Sequence, residues 1–199
     1  YAIKHTPLFP HHELVATRLL REPTLLAEIP PHPNLVSVIE TIRTPGHFYL
    51  VEEFLDGYVT LEALIGRMNI NTPTSSAHKL PHDAAEKIFE QLVLALYAIH
   101  KPLRVCHRDV KPENVLVHPE TLQLKLLDFG LATHFSRSHA KLTTCCGSPA
   151  FHCPEIVTAL SKPLGSVSYW GPEVDAWTCG VTLLRCLSGI RYPLGTSHT

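Results

Sequence analysis

Apolar residues recur along this 199-residue chain with different spacings, and each spacing predicts a different kind of element. Over residues 83–100 (DAAEKIFEQLVLALYAIH), Ile88, Leu92, Ala95, Leu96 and Ile99 fall on one stripe, which predicts the clearest helix in the sequence. Asp83 is placed to cap it, with Glu86 three residues on. Residues 11–28 (HHELVATRLLREPTLLAE) carry Leu14, Val15, Leu19, Leu25 and Leu26 at roughly helical spacing. Pro23 inside that run predicts a kink or a register change, and Pro30-Pro31-His32-Pro33 ends it.

Residues 1–5 read as the end of a strand. The runs LVSVIETI (35–42) and HFYLVEEFL (47–55) are rich in β-branched and aromatic residues and are joined by a turn at Thr44-Pro45-Gly46. The stretch NVLVHPETLQLKLLDFG (114–130) predicts a hairpin, turning at His-Pro-Glu-Thr, with Leu122, Leu124 and Leu126 alternating along its second strand. Residues 175–187 (DAWTCGVTLLRCL) are apolar almost all round, which predicts a buried helix. Residues 69–81 and 131–154 show no period and predict loops, and no internal repeat is found. A small β-rich part thus precedes a helical part. Glu53 to Gly57 connects them and is a candidate hinge.

Composition narrows the function classes. Hydrophobic residues make up 45% and charged residues 18%, enough apolar material for a core. Lys and Arg number 17 against 18 Asp and Glu, a balance that gives no support to nucleic-acid or membrane-surface partners. No apolar run approaches the ~18 residues of a membrane span, and an opening strand is no signal peptide. The six cysteines form no C-x-x-C pair and read as reduced thiols of an intracellular protein, cytoplasmic or nuclear. Fourteen histidines raise a metal-binding reading, notably at His11-His12 and His152-Cys153, but no paired ligand spacing supports it.

The chemistry is concentrated in four stretches. His107-Arg108-Asp109 is followed by Asn114, five residues after the Asp, and then by Asp128-Phe129-Gly130. Upstream stands Tyr1-Ala2-Ile3-Lys4; downstream stand Gly147-Ser148-Pro149 with Cys153-Pro154-Glu155, and then Asp175-Ala-Trp-Thr-Cys-Gly. In order and spacing this set resembles the eukaryotic protein-kinase signature across the whole chain. Lys111 in H-R-D-V-K-P-E-N and the Gly-Ser-Pro that follows resemble the serine/threonine type, and T-T-C-C-G-S-P-A-F-H-C-P-E-I most resembles the calmodulin-dependent and AMP-activated kinase-like groups.

The resemblance implies an α+β, two-lobe fold. Residues 1–53 would form a partial N-lobe, 54–57 a hinge and 58–199 a partial C-lobe, with 131–155 as the activation segment. It also implies transfer of the ATP γ-phosphate to protein Ser/Thr hydroxyls with ATP and Mg²⁺. Phosphoryl transfer asks mainly for positioning and neutralisation of charge spread over equatorial oxygens. Asp109 would orient the substrate hydroxyl and take its proton, Lys111 would hold the transferring phosphate, and Asn114 and Asp128 would offer the oxygens that Mg²⁺ prefers. Lys4 would grip phosphates while pinned by a carboxylate. Among Glu13, Glu22 and Glu28, Glu22 fits best, with one extra residue in the spacing.

Glu53 and Leu55 would flank the nucleotide base, while His107, Phe129, Gly130, Ser148, Glu155 and Asp175 would hold the frame. Ser148 is expected to bond Asp109 and Lys111. Glu113 fits a preference for basic residues before the phosphosite. Arg108 would receive a phosphate on the activation segment, with Thr144 as the candidate phosphosite for an upstream kinase or for autophosphorylation, and Thr143 second.

Three departures qualify these expectations. No G-x-G-x-x-G occurs among the ten glycines, so the resemblance starts at the third strand. It stops near Tyr192-Pro193-Leu194, before the last helices that would partner Glu155. Glu52 stands where the family has an apolar residue or Thr; there it needs a partner or a raised pKa, and it would compete with Glu22 for Lys4. The rival readings are a non-catalytic kinase-like interaction module or inactive fragment, a His-rich metal-binding domain, and a small-molecule phosphotransferase. The last of these lacks such an activation segment.

Overall fold

The computed structural model describes residues 1–7, 22–67, 79–135, 141–163 and 165–190. Strands β1 (Ala2–Pro7), β2 (Val38–Arg43) and β3 (His47–Glu52) form an antiparallel sheet in the order β1-β3-β2. Central β3 buries Phe48, Leu50 and Val51. The Thr44 turn closes as the sequence predicts, with the Thr44 amide and hydroxyl both donating to the His47 carbonyl. The predicted strand over 35–42 starts later than expected. Leu35 leaves this sheet to bridge Leu126, and the Val36 amide donates to the Leu126 carbonyl, tying the first sheet to the rest of the chain.

Residues 22–28 are helical (α1), with Pro23 second among them and the helix ending before the Pro30-Pro31 pair. The rest of the predicted helix, with Leu14, Val15, Leu19 and Glu13, lies outside the described residues. Two short strands, β4 (Val59–Thr60) and β5 (Val105–Cys106), bracket helices α2 (Leu61–Arg67) and α3 (His82–His100). Helix α2 was not predicted, although its signal is present. Thr60 Oγ1 accepts the Ala63 amide as an N-cap, and Leu61, Leu64 and Ile65 share the buried face.

Helix α3 buries the whole predicted stripe, and Ala84 and Ala85 with it. Asp83 does not cap it. The helix starts at His82 behind Pro81, no side chain caps it, and Asp83 lies inside the first turn, where its charge meets the helix dipole.

The hairpin forms from β6 (Val115–Val117) and β7 (Leu124–Leu126) in antiparallel register. The expected alternation fails on β7: Leu122 is outside the strand at positive φ, and Lys125 is buried like its neighbours. Beyond β8 (Thr133–His134), which pairs with β5, come α4 (Pro154–Leu160) and α5 (Gly171–Ser188).

Helix α5 starts four residues before the predicted 175, and it is not buried all round. Asp175 is 0% exposed and Thr178 and Thr182 are buried, while Trp177 is 37% and Leu184 42% exposed. The buried polar side chains are satisfied: Thr178 and Thr182 bond back to carbonyls one turn earlier, and Arg185 pairs with Glu62. Gly171 allows the helix start to approach Cys106, since a Cβ there would lie 2.3 Å from the Cys106 sulfur. One main core joins α1, α2, α3, the hairpin and α5; a smaller one comprises Cys153, Ile156, Tyr169 and Val174.

Candidate active site

The loop after β5 is shaped by a single buried carboxylate. Asp175 Oδ1 accepts the Arg108 amide at 2.7 Å, and Oδ2 accepts the His107 amide at 2.7 Å and meets His100 Nε2 at 2.7 Å. These bonds hold Arg108 at φ 68°, a left-handed conformation that a bulky side chain adopts only when its surroundings impose it. His107 reaches the Leu127 carbonyl through Nε2 and packs edge-on against Phe129, which is fully buried. The loop and the 127–130 segment are thereby fixed to one another.

Asp109 is the hub. Its Oδ1 accepts both the amide and the hydroxyl of Ser148, at 3.0 and 2.8 Å. Its Oδ2 accepts Lys111 Nζ at 2.8 Å and Asn114 Nδ2 at 3.0 Å. Lys111 Nζ also donates to Ser148 Oγ at 2.7 Å. Burial works against the Asp109 charge, but the hydrogen bonds from Lys111 and Ser148 outweigh it and hold the carboxyl below the usual aspartate range. Gly147 makes the approach of Ser148 possible. It sits at φ 98°, and a Cβ there would lie 2.7 Å from the Arg108 carbonyl oxygen.

Across the cleft, Lys4 on β1 donates to both oxygens of Glu22, at 3.1 and 2.8 Å, and to Asp128 Oδ1 at 3.2 Å. Burial disfavours its charge, yet the bonds to Glu22 and the attraction of Asp128 raise the Lys4 pKa above the usual value. Asp128, like Arg108, is held at positive φ, 61°. At Lys4 the ammonium bonds Glu22 and Asp128; no side-chain hydrogen bond or ion pair reaches the Glu52 carboxyl among the described residues, although the Lys4 charge still attracts it. Burial, and then repulsion from Glu22, push the Glu52 carboxyl above the usual range.

The oxygens that remain free fit a hard cation. Asn114 spends its amide nitrogen on Asp109, leaving Oδ1 without a partner among the described residues. Asp128 uses only Oδ1, toward Lys4 and the Gly130 amide, and Oδ2 is left over. Two such oxygens, completed by phosphate and water, are the kind of protein ligation that Mg²⁺ accepts. Among the described residues no group of three or more His, Cys, Asp or Glu side chains is arranged to hold a metal on its own.

Other predicted residues are placed differently from Asp109 and Lys4. The Glu53 side chain accepts Lys125 Nζ at 2.7 Å and the Ser37 amide at 2.8 Å, and Lys125 also donates to the Leu35 carbonyl. The Glu53 amide donates to the Ser37 carbonyl, and the Leu55 carbonyl receives the Tyr58 amide. Glu28 pairs with His134 and not with Lys4. Thr144 is exposed, and its carbonyl accepts the Tyr169 hydroxyl. Glu155 is exposed and forms no ion pair among the described residues. Sequence reasoning missed His100, Lys125 and Tyr169, whose partners lie 25 to 90 residues away and leave no local pattern.

The chain is similar to known proteins over most of its length. The protein kinase domain pattern matches residues 1–198. The chain is 38% identical over 188 residues to the serine/threonine-protein kinase ppk25 of Schizosaccharomyces pombe, covering 94% of this chain and 40% of that protein. It is 37% identical over 177 residues to CBL-interacting protein kinase 4 of Oryza sativa subsp. japonica, covering 88% and 35%. It is 33% identical over 158 residues to the SNF1-related protein kinase catalytic subunit alpha KIN12 of Arabidopsis thaliana, covering 79% and 28%. The chain thus spans well under half the length of these curated relatives.

Proposed function

This chain belongs to the protein kinase family, and from that premise we propose that it transfers the γ-phosphate of ATP to serine or threonine hydroxyls of proteins. The observation that carries the reading is the joint arrangement around Asp109. A carboxylate held ionised by Lys111 and Ser148 lies beside Asn114, and Lys4, Glu22 and Asp128 form a second charged cluster.

In this reading Asp109 orients the incoming hydroxyl and takes its proton, which its ionised state permits. Lys111, already within reach of Asp109 and Ser148, neutralises the phosphoryl group in transit. Lys4 binds phosphate oxygens with Glu22 fixing its ammonium. Asn114 Oδ1 and the Asp128 carboxylate would hold Mg²⁺, which would screen phosphate charge. Glu53 and Leu55 meet the base through their main chain. Thr144 is the proposed phosphosite, for an upstream kinase or for autophosphorylation, with Arg108 as the group that would receive the phosphate. An intracellular setting, cytoplasmic or nuclear, supplies the ATP.

The test is phosphorylation of a Ser/Thr peptide library by the natural full-length chain with Mg·ATP. Asp109→Asn is expected to lower kcat by about 10²–10⁴-fold, the usual worth of a positioned base, with the KM for ATP nearly unchanged. Transfer that survives the substitution, or a wild-type chain that binds no Mg·ATP, would overturn the reading.

A further inference from the structure

Arg108 is 6% exposed, and its guanidinium is held without any anion among the described residues. Nε donates to the Leu131 carbonyl at 2.7 Å, and Nη1 donates to the Tyr169 hydroxyl at 3.2 Å. That hydroxyl in turn donates to the Thr144 carbonyl at 2.7 Å. The same residue grips the segment a second time through its backbone. Leu142 and Tyr169 exchange both main-chain hydrogen bonds at 2.9 Å, forming an isolated antiparallel bridge. The Tyr169 ring is 3% exposed in the small core with Cys153, Ile156 and Val174, and Leu142 and Cys145 pack against that core.

Residues 142–144 are therefore clamped at both ends by one residue, through its backbone at Leu142 and its hydroxyl at Thr144, and its side chain packs against Ile156 of α4 and Val174 of α5. Four residues beyond Thr144, Ser148 makes its bonds to Asp109. A phenol so deeply buried stays protonated, its pKa pushed up to about 12, so it remains a donor to Thr144 at any ordinary pH.

We propose that Tyr169 is a positioning residue that docks the activation segment on Arg108 while Thr144 is unmodified, so that the unphosphorylated protein already holds Ser148 on Asp109. This rests on the kinase reading above. Phosphate on Thr144 would add charge-assisted bonds to Arg108 on top of a segment already seated. Loss of the Tyr169 hydroxyl would make activity depend on that phosphate.

The experiment is a double-mutant cycle in the natural full-length chain, comparing wild type, Thr144→Ala, Tyr169→Phe and the double variant by peptide phosphorylation. Each single variant, with Thr144 phosphorylated in Tyr169→Phe, is expected to keep kcat within about tenfold of wild type. The double variant is expected to fall at least about a hundredfold, more than the product of the singles, with the KM for ATP within about twofold. Singles that multiply to give the double, or Thr144→Ala alone losing a hundredfold, would overturn the proposal.

Amide exchange decides the matter independently of activity, and so separates failure of this proposal from failure of the kinase reading. In phosphatase-treated protein the Leu142 amide should be protected, and Tyr169→Phe should lower that protection at least about tenfold. No protection in wild type, or equal protection in both, would refute the clamp.

Discussion

Asp175→Asn tests the frame on which the site depends. The carboxylate is fully buried and accepts three hydrogen bonds, from two consecutive backbone amides and from His100. Asparagine keeps the shape but offers one oxygen. Turned toward His107 and His100, it presents its NH₂ to the Arg108 amide, donor against donor; turned the other way, it loses two acceptors. One bond to a charged acceptor is then lost, worth about 1.5–3 kcal/mol, and a buried donor is left unsatisfied. The surviving bonds weaken because a neutral oxygen accepts less strongly than a charged one.

The sum is about 3–5 kcal/mol, at the upper end for a single substitution. In a domain of this size that corresponds to a fall in Tm of about 6–20 °C. Thermal unfolding of the natural full-length chain measures it, and peptide phosphorylation below the new Tm should show reduced kcat, since Arg108 is released from its left-handed conformation. A loss under about 1 kcal/mol would refute the reasoning, because buried amides without acceptors cannot be that cheap.

Other substitutions probe the remaining contacts. Gly147→Ala places a Cβ 2.7 Å from the Arg108 carbonyl at φ 98°. It is expected to cost about 2 kcal/mol in urea denaturation and to lower kcat by withdrawing Ser148 from Asp109; unchanged values of both would count against that role. Lys125→Met removes the buried partner of Glu53 and a donor to Leu35. The expected loss is about 1–2 kcal/mol, held down because Glu53 is partly exposed, and it should shrink in acid as Glu53, whose carboxyl lies below the usual range, becomes protonated. Glu52 has the opposite sign. A carboxyl raised in the folded state contributes stability that is present below its unfolded pKa and lost as pH rises through the folded one. Glu52→Gln should therefore raise Tm at about pH 7 and do little near pH 4, around the unfolded glutamate value; an equal effect at both would refute the burial argument.

Much of the molecule was written locally. The stripe of α3, the turn at Thr44 and the hairpin over 115–126 follow from periods and turn residues that neighbours within one element enforce. The residue types of the site were legible too. Asp109, Lys111 and Asn114 stand within one short loop, and their chemistry needs their spacing. The family resemblance implies a Lys4–Glu22 pair, and the two meet at 2.8 Å.

Only the tertiary structure decided which polar groups are inside. By hydropathy Leu184 should be buried, yet it is 42% exposed, while Asp175 is buried as the resemblance implies, because burial follows the face a helix turns to its neighbours and a buried charge survives where donors converge on it. Lys125 breaks the alternation of its strand for the same reason, drawn inward by Glu53 and the Leu35 carbonyl. Tyr169 carried no motif at all. Its position between Arg108 and Thr144 exists only because the chain returns there, 61 residues after one partner and 25 after the other. The sequence by itself determined what chemistry the loop at 107–114 can do. The fold decided what holds that loop in place.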